Sequence, residues 1–423
     1  MANDKLRVFG KYFPVFLNYG FSLLVQRIQA LIHRYTWKNL PSSQNVVVIG
    51  GSFAGITLAR RLAESLPSGY KVVLIEKNSH FNYTFNFPRY SVVPEREQRA
   101  FIPYTGIMAN TPKGIFEQVQ DVAVGVREGD VVELASGRKI PFAYLAIATG
   151  VTQSPPAKLL AREKADACGE LRALQTRIQD ASRIAIVGAG AVGVQMAGDI
   201  KSFYPEKSVL LIHSRQQLMS SFGVRLHEYV LGKLQTMGID IMLGERPELP
   251  RTAAWEGGEL TFKGVKDEQF DLIIPCTGQT PNSSIIEQFC PTAVSSKTKR
   301  ILVNPTLQLK SDVKTNAQIH NIFSLGDVAE TGGPKMARAG MIQADVVQEN
   351  ILALINGRKL KTYKPMSIEG SLKLSLGMDE HVMYVKHEDG DEFLYGGKSS
   401  NVDLEVEKAW KMFGGDMETN KAS

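Results

Sequence analysis

The sequence predicts an α/β fold in which a parallel sheet is built twice along the chain. Short apolar runs alternate with longer helix-like segments, which is the pattern of buried strands joined by crossover helices. The alternation begins at residue 46 and begins again at residue 184, and each start leads into a glycine-rich turn. The 423 residues suffice for two or three domains, each with a core of its own.

The predicted strands are short and apolar, and they lie at residues 46–49, 72–75, 144–147, 184–187, 209–212 and 272–274. Beyond Pro365 the pattern changes to shorter segments in which apolar and polar residues alternate, as in residues 371–376. Alternation of this kind is typical of half-buried strands, so we expect a small mixed C-terminal domain.

The first 44 residues differ from the rest of the chain in their pattern of charged and apolar residues. Residues 12–26 carry no charge, but this stretch is too short to span a bilayer. From residue 17 onward, apolar residues recur in steps of four and three, which predicts an amphipathic helix with an apolar stripe at Leu17, Phe21, Leu24, Ile28, Leu31 and Tyr35.

Two interpretations of this helix remain open. Residues 1–40 hold six basic side chains and one acidic side chain, a net +5 within a whole-chain charge of +6. A basic amphipathic helix is typical of an interfacial membrane anchor or a mitochondrial targeting segment. The alternative is a helix packed against the protein's own body. We favour the membrane surface, because residues 41–44 form a short linker before a self-sufficient domain.

Composition argues against several classes of function. The body beyond residue 40 is nearly neutral, so a pI near 9.0 is weak evidence for nucleic-acid binding. Cys168, Cys276 and Cys290 form no CxxC pair, which argues against a disulfide framework and indicates a reducing, intracellular compartment. The seven histidines show no metal-binding spacing, so no metal site is predicted. The sequence does not predict an oligomeric state.

The first glycine-rich turn has the context of a dinucleotide-binding fingerprint. It follows a strand, precedes a helix and consists of Gly50, Gly51, Ser52, Phe53, Ala54 and Gly55. Small residues permit a tight turn and close approach of a pyrophosphate to the helix N-terminus. Glu76 ends the next strand, where a carboxylate accepts hydrogen bonds from the adenosine ribose. These features predict a Rossmann-like domain.

The second turn is a full match to the same fingerprint, with glycines at Gly188, Gly190 and Gly193. Two such turns predict two bound dinucleotides. The second strand here ends in His213 rather than an acid, and Arg215 follows two residues later. Without a carboxylate to repel a 2′-phosphate, NADPH is permitted, and Arg215 is a candidate partner for that phosphate. The alternative for Arg215 is a solvated surface arginine.

Three further motifs lie at the ends of predicted strands. They are residues 148–150, which end in Gly150, residues 276–278, which end in Gly278, and the later pair Gly326 and Asp327. With the two fingerprints, they resemble the flavoprotein superfamily of pyridine-nucleotide-dependent oxidoreductases. The resemblance implies two Rossmann-like domains, the second inserted in the first. It also implies bound FAD, with Gly326 and Asp327 at its ribityl and pyrophosphate.

Within that superfamily, the chain resembles the apoptosis-inducing-factor-like flavoproteins, in the branch of NAD(P)H:quinone reductases similar to ferroptosis suppressor protein. The segments that carry this resemblance are residues 50–55, 204–207, 211–214 and 333–337. By position, the resemblance implies a flavin contact at Arg89, an adenine-side contact at Val122 and a catalytic lysine beside the flavin ring at Lys335. Gln195 departs from a glutamate common near the nicotinamide. An amide can still hold a carboxamide by hydrogen bonds, but it lacks the charge of an acid.

The resemblance therefore implies an FAD-dependent enzyme that moves a hydride from NAD(P)H to FAD. The chain has no close cysteine pair, so we expect the electrons to leave directly for a quinone-like or other apolar acceptor. The alternatives are a tailoring oxidoreductase that acts on an apolar secondary metabolite and a signalling protein with structural FAD. The expected organisation is an amphipathic segment at 1–44, an FAD-binding domain at 45–157 and 285–364, an NAD(P)H-binding domain at 158–284 and a C-terminal domain at 365–423.

Overall fold

The computed structural model describes residues 2–249, 255–263, 266–310, 319–399 and 401–417. The predicted C-terminal domain thus ends in residues outside the described part. Helices α1 to α9 span, in chain order, Ala2–Thr36, Phe53–Ala63, Phe87–Tyr90, Lys164–Asp180, Ala191–Phe203, Val224–Thr236, Ser284–Glu287, Ala337–Ile355 and Val406–Met412.

Strands β1 to β13 span Gln44–Ile49, Tyr70–Glu76, Phe81–Asn82, Phe101–Ile102, Phe116–Gln120, Ala123–Arg127, Val131–Leu134, Lys139–Pro141, Tyr144–Ile147, Val151–Thr152, Arg183–Val187, Ser208–His213 and Asp240–Leu243. Strands β14 to β23 span Gly258–Leu260, Glu268–Phe270, Leu272–Pro275, Thr280–Pro281, Ile301–Leu302, Ile322–Ser324, Ala329–Glu330, Leu372–Leu376, Glu380–Lys386 and Glu392–Lys398.

The first parallel sheet has the strand order β19-β9-β1-β2-β5. Its central strand is β1, whose side chains alternate between two cores. Val46 and Val48 pack with α2 and α8 on one face, whereas Val47 and Ile49 pack with β6–β8 and α7 on the other. Burial on both faces explains why this strand is apolar throughout. Because β19 comes from late in the chain, the first domain is discontinuous in sequence.

The second parallel sheet has the order β13-β12-β11-β16 and lies in the sequence between β9 and β19. Ile184 and Ile186 of β11 face one core, and Ala185 and Val187 face the other. The fold is therefore two Rossmann-like domains with the second inserted in the first, as the sequence predicts. The domain boundaries proposed from the sequence after residues 157 and 364 lie between secondary-structure elements. The boundary proposed after residue 284 lies inside α7.

The C-terminal part is an antiparallel sheet, β21-β22-β23, followed by α9. It packs against both Rossmann-like domains. Leu374 and Leu376 of β21 join the core of the second domain, whereas Trp410 of α9 joins the core of the first together with Phe413. This small unit therefore fixes the two nucleotide-binding domains against each other.

Helix α1 has two arms, Asp4–Pro14 and Leu17–Thr36, that meet at a bend of 48°. Pro14 accounts for the bend, because proline removes a helical hydrogen bond and clashes with the preceding turn. Among the described residues no single helix is both long and apolar enough to cross a membrane, although the two arms together meet that criterion of length and composition.

The two arms of α1 dock on different parts of the protein. Val8 and Tyr12 of the first arm are buried against Phe393 of β23. In the second arm, His33 bonds the carbonyl oxygen of Leu66 at 2.7 Å, and Trp37 just beyond it is buried in the first core. The predicted apolar stripe faces solvent instead, with exposed fractions from 51% at Ile28 to 83% at Tyr35.

Candidate functional site

The first glycine-rich turn joins β1 to α2 at the carboxyl edge of the first sheet. A side chain at Gly50 would collide with the carbonyl oxygen of Ala148, and one at Gly55 would collide with the carbonyl oxygen of Gly50. The amide of Gly51 donates to Glu76 Oε2 at 2.5 Å, and that of Asn78 donates to Glu76 Oε1 at 2.8 Å. The glycine-rich loop and Glu76 thus form one structural unit.

The late Gly326–Asp327 motif packs against the same loop although it is far away in the sequence. The amide of Gly326 donates to Gln343 Oε1 of α8 at 2.8 Å. An added Cβ at Gly326 would lie 3.3 Å from the Cβ of Ala54, and one at Gly340 would lie 3.0 Å from it. The N-terminus of α2, the Gly326–Asp327 turn and α8 are therefore in close contact around Ala54. This contact lies at the N-terminus of α2, where helix amides can receive a phosphate.

Lys158 is a residue that the sequence reasoning missed. Its ammonium lies in the field of both Glu76 and Asp327, two acids from the two halves of the first domain. Burial lowers the pKa of Lys158 despite these carboxylates. A cation between them fits the negatively charged pyrophosphate of a dinucleotide. No motif surrounds this lysine, so only its tertiary placement reveals it.

The remaining residues predicted for the first domain lie at the same edge. Val122 follows β5, where the Asp121 amide donates to the carbonyl oxygen of Glu76 at 3.1 Å. Gly150 follows β9 and lies near Lys158, since an added Cβ would be 4.0 Å from the Lys158 Nζ. Lys335, just before α8, donates from Nζ to the carbonyl oxygen of Ala329 at 2.6 Å. Burial lowers the pKa of Lys335.

Arg89 lies in a different environment, at the junction of all three structural units. Its Nε donates to Asp199 Oδ2 on α5 at 2.8 Å, and its Nη2 donates to the carbonyl oxygen of Gly377 at 2.9 Å. Both side chains of the ion pair are fully buried. Burial raises the pKa of Asp199, while Arg89 acts to lower it.

One buried donor at this junction, Arg89 Nη1, lacks an acceptor within the described structure. Leaving such a donor unpaired in the interior is unfavourable, so it fits a bound ring that presents carbonyl oxygens, as flavin does. Gln195 lies one helical turn before Asp199 on α5. The structure thus brings the predicted flavin contact and the predicted nicotinamide contact to one junction.

The second glycine-rich turn repeats the geometry of the first. A side chain at Gly188 would meet the carbonyl oxygen of Cys276 just before Gly278, and one at Gly193 would collide with the carbonyl oxygen of Gly188. Gly190 has open space around it. The amide of Ala189 donates to His213 Nδ1 at 3.2 Å, and Arg215 Nη1 donates to Ser220 Oγ at 2.8 Å.

The three cysteines lie in three different cores, with Cys276 beside the second glycine-rich turn. Cys168, Cys276 and Cys290 are all free, and burial raises the pKa of Cys168 to about 11 and that of Cys276 to about 12. Within the described ranges, no group of three histidine, cysteine or acidic side chains could hold a metal ion.

Comparison with known proteins identifies the family. The model of the pyridine nucleotide-disulphide oxidoreductase family matches residues 44–344. Fe-regulated protein 8 of Mycosarcoma maydis is 32% identical over 377 residues, which cover 81% of this chain and 90% of that protein. Ferroptosis suppressor protein 1 of Mus musculus is 30% identical over 351 residues, which cover 80% of this chain and 87% of that protein.

A solved structure shows the same fold. The sulfide:quinone oxidoreductase of Aquifex aeolicus superposes with a TM-score of 0.69 at 17% identity, covering 89% of this chain and 92% of that one. The matched residues 44–344 include both glycine-rich turns and the late Gly326–Asp327 motif. The chain therefore belongs to the pyridine nucleotide-disulphide oxidoreductase family and is an FAD-dependent oxidoreductase that uses NAD(P)H.

Proposed function

We propose that the protein passes electrons from NAD(P)H through FAD to a quinone-like or other apolar ring, without a redox disulfide. The observation that carries this proposal is the combination of two glycine-rich nucleotide loops with three free, separate cysteines. With no thiol pair to receive them, electrons leave the flavin for a diffusible acceptor. The similarity to ferroptosis suppressor protein 1 supports this acceptor class.

The residues proposed to bind FAD surround the first loop. The amides at the start of α2 receive the pyrophosphate, Glu76 receives the ribose, and Lys158 balances the phosphate charge. Asp327 lies opposite this loop, and Val122 lies on the adenine side. When bound, FAD supplies two-electron chemistry between a nicotinamide and an acceptor.

The proposed catalytic residue is Lys335. Its Nζ donates one hydrogen bond to the carbonyl oxygen of Ala329 and has two further protons to donate. A cation held there stabilises negative charge beside the flavin ring. Burial lowers the pKa of Lys335, which also eases transfer of a proton towards the acceptor.

Anaerobic mixing experiments test this function. We expect NADPH or NADH to bleach the flavin absorbance and a short-chain ubiquinone to restore it. Gly193→Val should retain FAD but block bleaching, because a side chain at this position collides with the Gly188 carbonyl oxygen. Bleaching without reoxidation by quinones would contradict the acceptor and favour a tailoring role. Absence of bleaching with either donor would favour structural FAD.

We further propose that the outer stripe of α1 binds the surface of an intracellular membrane, such as a mitochondrial or other organelle membrane. Leu17, Phe21, Leu24, Ile28 and Leu31 are each more than half exposed, although α1 is docked on the protein along its other side. An exposed apolar patch of this extent marks an interaction surface. Basic residues at Arg27 and Arg34 favour anionic headgroups.

A further inference from the structure

Lys335, the proposed catalytic residue, lies at the end of a loop at residues 331–335, between β20 and α8. Its Nζ donates to the carbonyl oxygen of Ala329 at 2.6 Å. A side chain at Gly333 would collide with the hydroxyl group of Tyr363. The phenol therefore packs directly on the loop backbone, two residues before the lysine. The position of this hydroxyl group thus helps to decide where the loop places the ammonium group.

A buried carboxylate holds Tyr363 in place. The Tyr363 hydroxyl donates to Glu369 Oε2 at 2.5 Å, and the amide of Met366 donates to Glu369 Oε1 at 3.0 Å. Glu369 is completely buried, and burial raises the pKa of its carboxyl group. Burying an acid is costly, so these two hydrogen bonds must compensate for the lost contact with water. The acid and the phenol therefore support each other in a single arrangement.

Gln343 of α8 extends this network to the proposed FAD-binding turn. Its Nε2 donates to Thr331 Oγ1 at 3.2 Å, and its Oε1 accepts from the amide of Gly326 at 2.8 Å. Burial raises the pKa of Tyr363, and a hydrogen bond from Gln343 opposes this increase. The contacts that begin at Glu369 thus reach both the start of the loop and the turn proposed to hold the flavin.

We infer that Tyr363 and Glu369 are positioning residues that hold the Lys335 ammonium group beside the flavin ring. They act through the backbone of residues 331–335 and do not touch the reacting groups. This inference rests on the proposed catalytic role of Lys335, but not on the identity of the electron acceptor. Because the support is geometric, the shape of the side chain at position 369 should matter more than its charge.

The test measures the two-electron potential of the flavin, and its reoxidation by a short-chain ubiquinone, in the FAD-loaded full chain. Lys335→Met should lower the potential, because a cation beside the ring stabilises negative charge on reduced flavin. Tyr363→Phe should lower it by about 30 mV, which is a 10-fold weaker preference for reduced flavin. Glu369→Ala should match Tyr363→Phe. Glu369→Gln can still bond to the phenol, so it should change that preference by less than about 3-fold.

A double-variant cycle separates positioning from a general loss of structure. Tyr363→Phe added to Lys335→Met should lower the potential no further, because the ammonium group that it positions is already absent. Tyr384→Phe is the matched control. It removes another buried tyrosine hydroxyl, which accepts a hydrogen bond from the amide of Gly223 in the second domain, and it should leave the potential and the reoxidation rate unchanged.

The outcomes separate this inference from the proposals on which it rests. A native potential in Tyr363→Phe, or additive effects of Tyr363→Phe and Lys335→Met, would overturn the positioning role alone. A native potential and reoxidation rate in Lys335→Met would overturn the catalytic role of that lysine and the positioning role with it. Failure of quinones to reoxidise the flavin would overturn only the acceptor proposal. Tyr363→Phe decides the test even if Glu369→Ala does not fold.

Discussion

The ion pair between Arg89 and Asp199 is the most demanding single contact in the site. Both side chains are completely buried, and the carbonyl oxygen of Gly377 completes the arrangement. Removing two charges from water is costly, and only close geometry with additional hydrogen bonds compensates for it. Since the three residues come from three structural units, this contact fixes α5, which carries Gln195, relative to the first domain and the C-terminal sheet.

Asp199→Ala should therefore be strongly destabilising, because it leaves the Arg89 guanidinium buried without a counter-charge. We expect the free energy of unfolding to fall by about 3–5 kcal/mol, measured by urea denaturation. Asp180→Ala removes an exposed acid from the end of α4 and should change it by less than about 0.5 kcal/mol. The double variant Arg89→Met, Asp199→Leu should recover part of the loss. A double variant less stable than Asp199→Ala would contradict this account.

Asp327→Ala should remove most of the bound FAD. The Asp327 carboxylate lies near Lys158 and at the end of the turn that packs against α2, so its loss changes both charge and hydrogen bonding at the cofactor. Flavin content after desalting into low-micromolar FAD measures the effect. Glu128→Ala, an exposed acid in the turn between β6 and β7, is the control. Full flavin occupancy in Asp327→Ala would show that this acid does not hold the cofactor.

At the scale of elements, the second arm of α1 carries two opposite stripes. The inner stripe, at Leu23, Gln26, Ala30 and His33 and continued by Trp37 just after the helix, is less exposed and partly polar, whereas the outer stripe is apolar and exposed. The two stripes are offset by two residues, or about 200° around a helix with 3.6 residues per turn. Amphipathic helices ordinarily turn their apolar face to the core. Here the more apolar face points outward, which a soluble surface alone does not explain.

Replacing Leu17, Phe21, Leu24 and Ile28 together by Ser should abolish binding to anionic liposomes. Interfacial burial of such side chains contributes roughly 25 cal/mol per Å² of apolar surface, and each nearby basic residue adds about 1 kcal/mol. Co-sedimentation measures the binding. The melting temperature should stay unchanged, because these side chains face solvent.

Trp37→Ala is the matched control for this experiment. It removes a buried side chain of the first core, so it should lower the melting temperature and leave liposome binding intact. Equal liposome binding by the native protein and the fourfold variant would show that the outer stripe is not the membrane contact. A fall in the melting temperature of the fourfold variant would indicate that the stripe packs within the protein.

For the whole molecule, the local patterns predict the fold well because each Rossmann-like unit is encoded locally. An apolar strand, glycines at positions such as Gly50 and Gly188, and a following helix are all visible within a short window. The junction could not be predicted in this way. Arg89 and Asp199 are 110 positions apart, and their pairing depends on how three units pack. The proposed role of Lys158 likewise depends on the meeting of Glu76 and Asp327 in the folded protein.

The route of the electrons through the whole molecule can be tested at its cysteines. Thiolates, not thiols, carry out disulfide chemistry, and raised pKa values of about 11 at Cys168 and about 12 at Cys276 keep these groups protonated at neutral pH. A variant with all three cysteines replaced by Ala should therefore retain flavin reduction and reoxidation within about 2-fold, provided that its melting temperature shows a folded protein. In the native protein, rates should show no titration of Cys168 or Cys276 between about pH 6 and about pH 9, because both pKa values lie above that range. A more than 10-fold slower reoxidation in Cys276→Ser, with FAD retained, would instead place a thiol on the electron path.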